Sequence, residues 1–140
     1  MIRLSHIGIV VRDIGAFSAI LRQVCQAEAV SEVVHDPAQQ ALLQMFRSGD
    51  GYLEVIAPDG ENSHVHTALK KMGEGLLHLC FETDDLDGTL QRVREEGVLV
   101  FRPPTPAVLF GGKRVAFAML PNRMVVEFVE EGWDEAAPNG

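Results

Sequence analysis

The chain writes one pattern twice. Leu4-Ser5-His6-Ile7-Gly8-Ile9-Val10-Val11-Arg12-Asp13-Ile14 is answered by Leu76-Leu77-His78-Leu79-Cys80-Phe81-Glu82-Thr83-Asp84-Asp85-Leu86, with His6 on His78 and Asp13 on Asp85 at a single offset. Tyr52-Leu53-Glu54-Val55-Ile56 has its counterpart in Val125-Val126-Glu127-Phe128-Val129, one residue further along. A chain that twice sets a histidine in one apolar strand and a glutamate in another reads as two copies of one module.

Each copy is read as β-α-β-β-β. In the first, Leu4 to Val11 alternates as a strand, with His6, Gly8 and Val10 on one face and Ile7, Ile9 and Val11 on the other. Asp13 is placed to cap a helix whose stripe is Phe17, Ile20, Leu21 and Val24, running to about Gln26. Strands follow over 28–34, 40–47 and 52–57, with a turn at His35-Asp36-Pro37 and a hairpin cluster at Ser48-Gly49-Asp50-Gly51. Residues 58–73 form a linker, in which Ser63 caps a short helix burying Val65, Ala68, Leu69 and Met72 before Gly73 ends it.

The second copy opens with a strand over 76–83. A helix capped by Asp85 or Asp87 then carries Leu86, Leu90 and Val93 inward, and Gly97 stops it. Strands are expected over 98–101, 113–120 and 124–130. Arg102-Pro103-Pro104-Thr105-Pro106 serves as a stiff connection and Gly111-Gly112 as a tight turn. One domain over 1–132 is expected, with modules at about 3–57 and 75–130, and residues 133–140 as a tail.

Composition narrows the class. With 46% hydrophobic residues there is material for a core. No run nears the eighteen apolar residues of a membrane span, and the first residues lack a signal-peptide layout, so a cytoplasmic protein without a membrane partner is expected. A net charge of −8 opposes a surface that tracks phosphates, which sets nucleic acid aside. Cys25 and Cys80 make no CxxC pair and read as buried thiols.

His6, Glu54, His78 and Glu127 each sit mid-strand among apolar neighbours, where an uncompensated charge is costly. Two imidazoles and two carboxylates suit a borderline divalent ion: Zn, Ni, Co, Mn or Fe. Four protein ligands leave coordination positions for water or substrate oxygens. Arg47, Lys113 and Arg114 are candidates for a substrate carboxylate or phosphate, and Gln44 for one hydrogen bond to it. His35, His64 and His66 read as surface residues.

From about Leu4 to Glu130 the order and spacing of these segments resemble the vicinal oxygen chelate superfamily. That group includes glyoxalase I, methylmalonyl-CoA epimerase, extradiol dioxygenases and bleomycin-resistance proteins. The resemblance implies an α+β fold: two tandem βαβββ modules forming a curved eight-stranded mixed sheet around a central cleft, helices on the outer face. It implies that His6, Glu54, His78 and Glu127 stand at the metal positions, as in bacterial glyoxalase I. The linker helix and the Gly75–Asp85 run are similar to methylmalonyl-CoA epimerase. Two differences from the epimerases stand out. Leu77 replaces the first of two adjacent histidines, and no carboxylate lies between Gln39 and Arg47, where Leu43 and Gln44 occupy the expected acid/base position.

The implied activity is that of a metal-dependent lyase or isomerase. It would take a proton next to a metal-polarised carbonyl of a small carbonyl or thioester substrate, with Glu127 as base and Glu54 as its partner, in a homodimer. Two other readings use the same residues. An Fe(II) dioxygenase would employ His6, His78 and Glu127 alone, and a bleomycin-resistance-like binder would need no ligand set.

Overall fold

The structure, a computed structural model, describes residues 1–133, so the expected tail lies almost wholly outside the described residues. Nine strands of one mixed, unclosed sheet and three α-helices make an α+β fold. The strands are β1 Ile2–Val10, β2 Glu28–Ala29, β3 Val34–Asp36, β4 Ala41–Ser48, β5 Gly51–Pro58, β6 Gly75–Thr83, β7 Leu99–Pro106, β8 Arg114–Met119 and β9 Val125–Glu130. The helices are α1 Ile14–Cys25, α2 His64–Met72 and α3 Leu86–Glu95. The chain divides into two compact units, His6–Leu77 and Met1–Ser5 together with the chain from His78 onward. Among the described residues no helix is long and apolar enough to cross a membrane.

In the unit His6–Leu77 the strand order is β2-β4-β5-β1, with β3 also paired to β4. β1 and β5 run parallel, with Gly8 opposite Glu54 and Ile9 opposite Val55. β4 and β5 form an antiparallel hairpin closed at Ser48 and Gly51. α1 is capped by the Asp13 carboxylate, which accepts from the Ala16 amide at 3.1 Å. Ile14 and Leu21 of α1 pack with Val11, Phe46, Val55 and Ala57 on one face of these strands. His6, Gly8 and Glu54 alternate onto the other face.

Three expectations are corrected in this unit. The segment read as one strand over 28–34 is two, β2 and β3, and His35-Asp36 belongs to β3 rather than to a turn. The turn comes after it, where the buried Asp36 carboxylate accepts from the amides of Ala38 and Gln39. The buried face of α1 is Ile14, Ser18 and Leu21, whereas Ile20 and Val24 are exposed. In α2, capped by Ser63 as expected, Val65 and Leu69 are buried but Met72 is exposed.

The other unit has the order β6-β9-β8-β7. β6 and β9 are parallel with Cys80 opposite Glu127, and β8 and β9 are antiparallel with Phe117 opposite Glu127. Asp85, not Asp87, caps α3 by accepting from the Gly88 amide at 3.0 Å. Leu86 and Leu90 pack against Ala116, Ala118, Val126 and Phe128. β7 continues through Pro106 rather than ending at Phe101, with register shifts between Val100 and Arg102 and again before Thr105. It stands at the end of the strand order, the place where a strand can tolerate prolines and bulges. Cys80 is buried as expected, but Cys25, in the last turn of α1, is exposed.

Candidate metal centre

The same local device appears in each unit. Gly8 is the ladder partner of Glu54, and His6 lies two residues before it on the same face. Glycine adds no side chain there, and the His6 imidazole Nε2 approaches Glu54 Oε1 at 3.8 Å. In the second unit Cys80 is the ladder partner of Glu127, with His78 two residues before it. His78 Nε2 stands 3.2 Å from Glu127 Oε1. All four side chains are buried.

A carboxylate buried at this depth calls for compensation by opposite charge or hydrogen bonds. A cation held by these groups would supply it. Two neighbouring ligand atoms bonded to one ion at about 2.0–2.2 Å stand about 2.8–3.6 Å apart, from octahedral to tetrahedral angles. The His78–Glu127 separation falls in that range, and the His6–Glu54 separation needs only a small closing. Each unit thus offers a buried imidazole nitrogen and a buried carboxylate oxygen, ligand atoms of the kind that could hold a metal ion. The donor set, two nitrogens and two carboxylate oxygens, fits Zn, Ni, Co, Mn or Fe rather than the all-oxygen shells of Ca or Mg.

The other sequence candidates are engaged elsewhere. Gln44 lies on the α1 side of β4, opposite Val55, where its Oε1 accepts from Ser18 and its Nε2 donates to the Ser31 carbonyl. On the His6–Glu54 face β4 presents Leu43 and Met45, opposite Ile56 and Glu54. Arg47 pairs with Glu28. Arg114 binds Glu130 at 3.1 Å and Asp87 at 3.1 Å, and these carboxylates raise its already high pKa. The Arg114 backbone amide in turn holds Glu130 below the usual carboxylate range, with the guanidinium and the Lys113 charge adding to that effect.

Two features of the second unit escape a residue-by-residue reading of the sequence. The Phe117 ring meets the His78 imidazole edge-on, with centroids 5.8 Å apart. The Arg102 guanidinium lies over that same Phe117 ring, 5.9 Å from its centroid. A small residue recurring two positions after each histidine was a legible signal; Arg102, inside a proline-rich run, gave none.

Residues 5–117 match the glyoxalase/bleomycin resistance protein/dioxygenase superfamily. The chain belongs to this superfamily. It is 32% identical over 139 residues to the uncharacterized protein YqjC of Bacillus subtilis (strain 168), covering 96% of each chain. It is 29% identical over 116 residues to an ethylmalonyl-CoA/methylmalonyl-CoA epimerase of Cereibacter sphaeroides, covering 82% of this chain and 86% of that one. A variant of the Streptomyces coelicolor methylmalonyl-CoA epimerase, solved with 2-nitronate-propionyl-CoA, superposes with a TM-score of 0.80 at 28% identity. That superposition covers 93% of this chain and 97% of the epimerase. The superfamily expectation from the repeated His/Glu pattern is thus met, and of these relatives the two with a stated activity are acyl-CoA epimerases.

Proposed function

We propose that the protein is a divalent-metal-dependent epimerase acting on an acyl-CoA thioester, with His6, Glu54, His78 and Glu127 as the metal-holding group. The observation that carries this is the buried His–Glu pair repeated on equivalent strands of both units. The epimerase relatives support the substrate class. A bound ion would polarise the thioester carbonyl and stabilise negative charge as it develops on that oxygen.

The chain's own residues then divide the proton work. Glu127 takes the proton from the carbon next to the carbonyl, and Glu54 serves as the second acid/base group. Leu43 and Met45 offer no carboxylate on β4, so no other glutamate of that strand competes for the role. In this two-base scheme one glutamate delivers a proton to the opposite face while the other holds the abstracted one until release, so solvent deuterium enters between turnovers. Positioned groups of this kind contribute about 10²–10⁴-fold in rate. Exposed apolar side chains on β7, Leu99 and Phe101, support taking the active form as a homodimer, which sedimentation at micromolar concentration tests.

The deciding experiment measures exchange of the α-hydrogen of methylmalonyl-CoA in deuterated water, with metal content measured on the same samples. The wild type is expected to carry one divalent ion per chain and to exchange, and Glu127→Gln to lose exchange. Glu54→Gln is expected to lose metal, whereas an iron triad without Glu54 would keep it. Isomerisation of a hemithioacetal without exchange of methylmalonyl-CoA would move the assignment to a glyoxalase-type lyase.

A further inference from the structure

Most arginines near the strands of this protein are already spoken for. Arg3 pairs with Glu82, Arg12 with Glu74, Arg47 with Glu28, and Arg114 with Glu130 and Asp87. Arg102 differs: among the described residues no carboxylate pairs with it, yet it is partly buried. Its place follows from the irregularity of β7. Val100 pairs with Ala118 and packs toward α3, but the register slips there, and Arg102 becomes the partner of Phe117. A bulge of this kind re-aims a side chain. It turns Arg102 onto the face that carries Phe117, Glu127 and His78.

Phe117 links the parts. Its ring abuts His78 on one side and carries the Arg102 guanidinium at 5.9 Å, while Phe101 packs against it with centroids 6.1 Å apart. A guanidinium laid over an aromatic ring is held in orientation, and its N–H edge remains available for bidentate pairing with a carboxylate or phosphate. An arginine so fixed, with no acidic partner among the described residues and sharing the Phe117 ring with His78, has the chemistry of an anion anchor.

We infer that Arg102 is a specificity-determining residue that binds an anionic group of the substrate, selecting charged over neutral thioesters. The inference rests on the epimerase reading for the thioester class alone. The anion is either the free carboxylate of the acyl group or a phosphate of the CoA portion, and short and full-length thioesters separate the two.

The test is calorimetric titration of the metal-loaded wild type and of Arg102→Met and Arg102→Lys. Methionine preserves an unbranched stem against Phe117, and thermal melts confirm that each variant folds. The probes are methylmalonyl-CoA, propionyl-CoA (phosphates but no acyl carboxylate), methylmalonyl-N-acetylcysteamine (carboxylate but no phosphate) and the neutral propionyl-N-acetylcysteamine. Arg102→Met is expected to weaken methylmalonyl-CoA by about 10- to 100-fold, with Arg102→Lys in between and the neutral probe unchanged. A parallel loss with propionyl-CoA assigns the anion to a phosphate. A parallel loss with the short methylmalonyl thioester assigns it to the acyl carboxylate. Unchanged affinity for both anionic classes, an equal loss on the neutral probe, or no wild-type binding of any anionic thioester overturns the inference. Tight, Arg102-dependent binding without α-hydrogen exchange would instead overturn the epimerase reading and leave the anchor standing.

Discussion

The Ser18 hydroxyl donates to Gln44 Oε1 at 3.2 Å, buried where α1 meets β4. This contact spends the amide of Gln44 on the helix side of the sheet. It also accounts for a polar residue in the buried stripe of α1, since Ser18 is there to satisfy a glutamine that also reaches the Ser31 carbonyl.

Ser18→Ala leaves that buried oxygen short of a donor and is expected to cost about 1–2 kcal/mol in urea unfolding. Metal content of the folded variant should not change. A fall in metal uptake with intact stability would show that Gln44 serves the ligand face after all.

Gly88 and Asp85 are coupled through the cap of α3. A Cβ on Gly88 would overlap Asp85 Oδ2, so alanine there must displace the capping carboxylate. Replacing a helical glycine by alanine ordinarily gains up to about 1 kcal/mol, and losing a cap costs about as much. Gly88→Ala alone is therefore expected to give no gain, whereas in an Asp85→Ala background it should stabilise. Equal effects in the two backgrounds, read from a double-mutant cycle, would refute the coupling.

Glu130 makes stability depend on pH. Its carboxyl is held below the ordinary 4.5, first by the Arg114 amide and then by the guanidinium. A depressed folded value means that the contribution is complete above the unfolded value and fades as pH falls through the folded one. Glu130→Gln should cost about 0.5–1 kcal/mol at pH 7, the modest scale of a partly exposed pair. The gap to wild type should close as the pH drops below that ordinary value. A gap that persists in acid would point to packing instead of charge.

Cys80 occupies the slot between His78 and the strand carrying Glu127, fully buried. Cys80→Ala is expected to be mild. Cys80→Leu overpacks the slot at a cost of about 1–3 kcal/mol and should lower metal content, measured by elemental analysis after gel filtration. Retained metal in a folded leucine variant would mean that the slot does not set the His78–Glu127 spacing.

Chelation should lower the melting temperature, because an ion bound only by the folded chain stabilises by mass action, about 2.7 kcal/mol at a hundredfold excess over Kd. Readdition of Zn or Co should restore it. A chelator-insensitive melt in protein shown to contain metal would place the ion elsewhere.

Much of this arrangement could be read from the residues. The duplicated His and Glu positions lie on the expected strands, and the caps at Asp13, Ser63 and Asp85 are where short polar side chains precede apolar runs. The misreadings have physical causes. α1 carries apolar residues on more than one side, so periodicity alone could not choose Ile14 over Ile20 or Val24. The prolines after Arg102 hid a strand, because an end strand can lack the amides that an interior one requires. Arg102 was missed for the same reason: which way it points depends on a register slip that becomes visible only once β8 is alongside.

Those prolines have one more effect. Pro103, Pro104 and Pro106 carry no amide hydrogen, and since successive strand amides point to opposite edges, part of the outer margin of β7 lacks the donors needed to recruit a foreign strand. Growth of fibrils from that border is disfavoured by covalent structure itself, without a helix or a neighbouring chain to shield it.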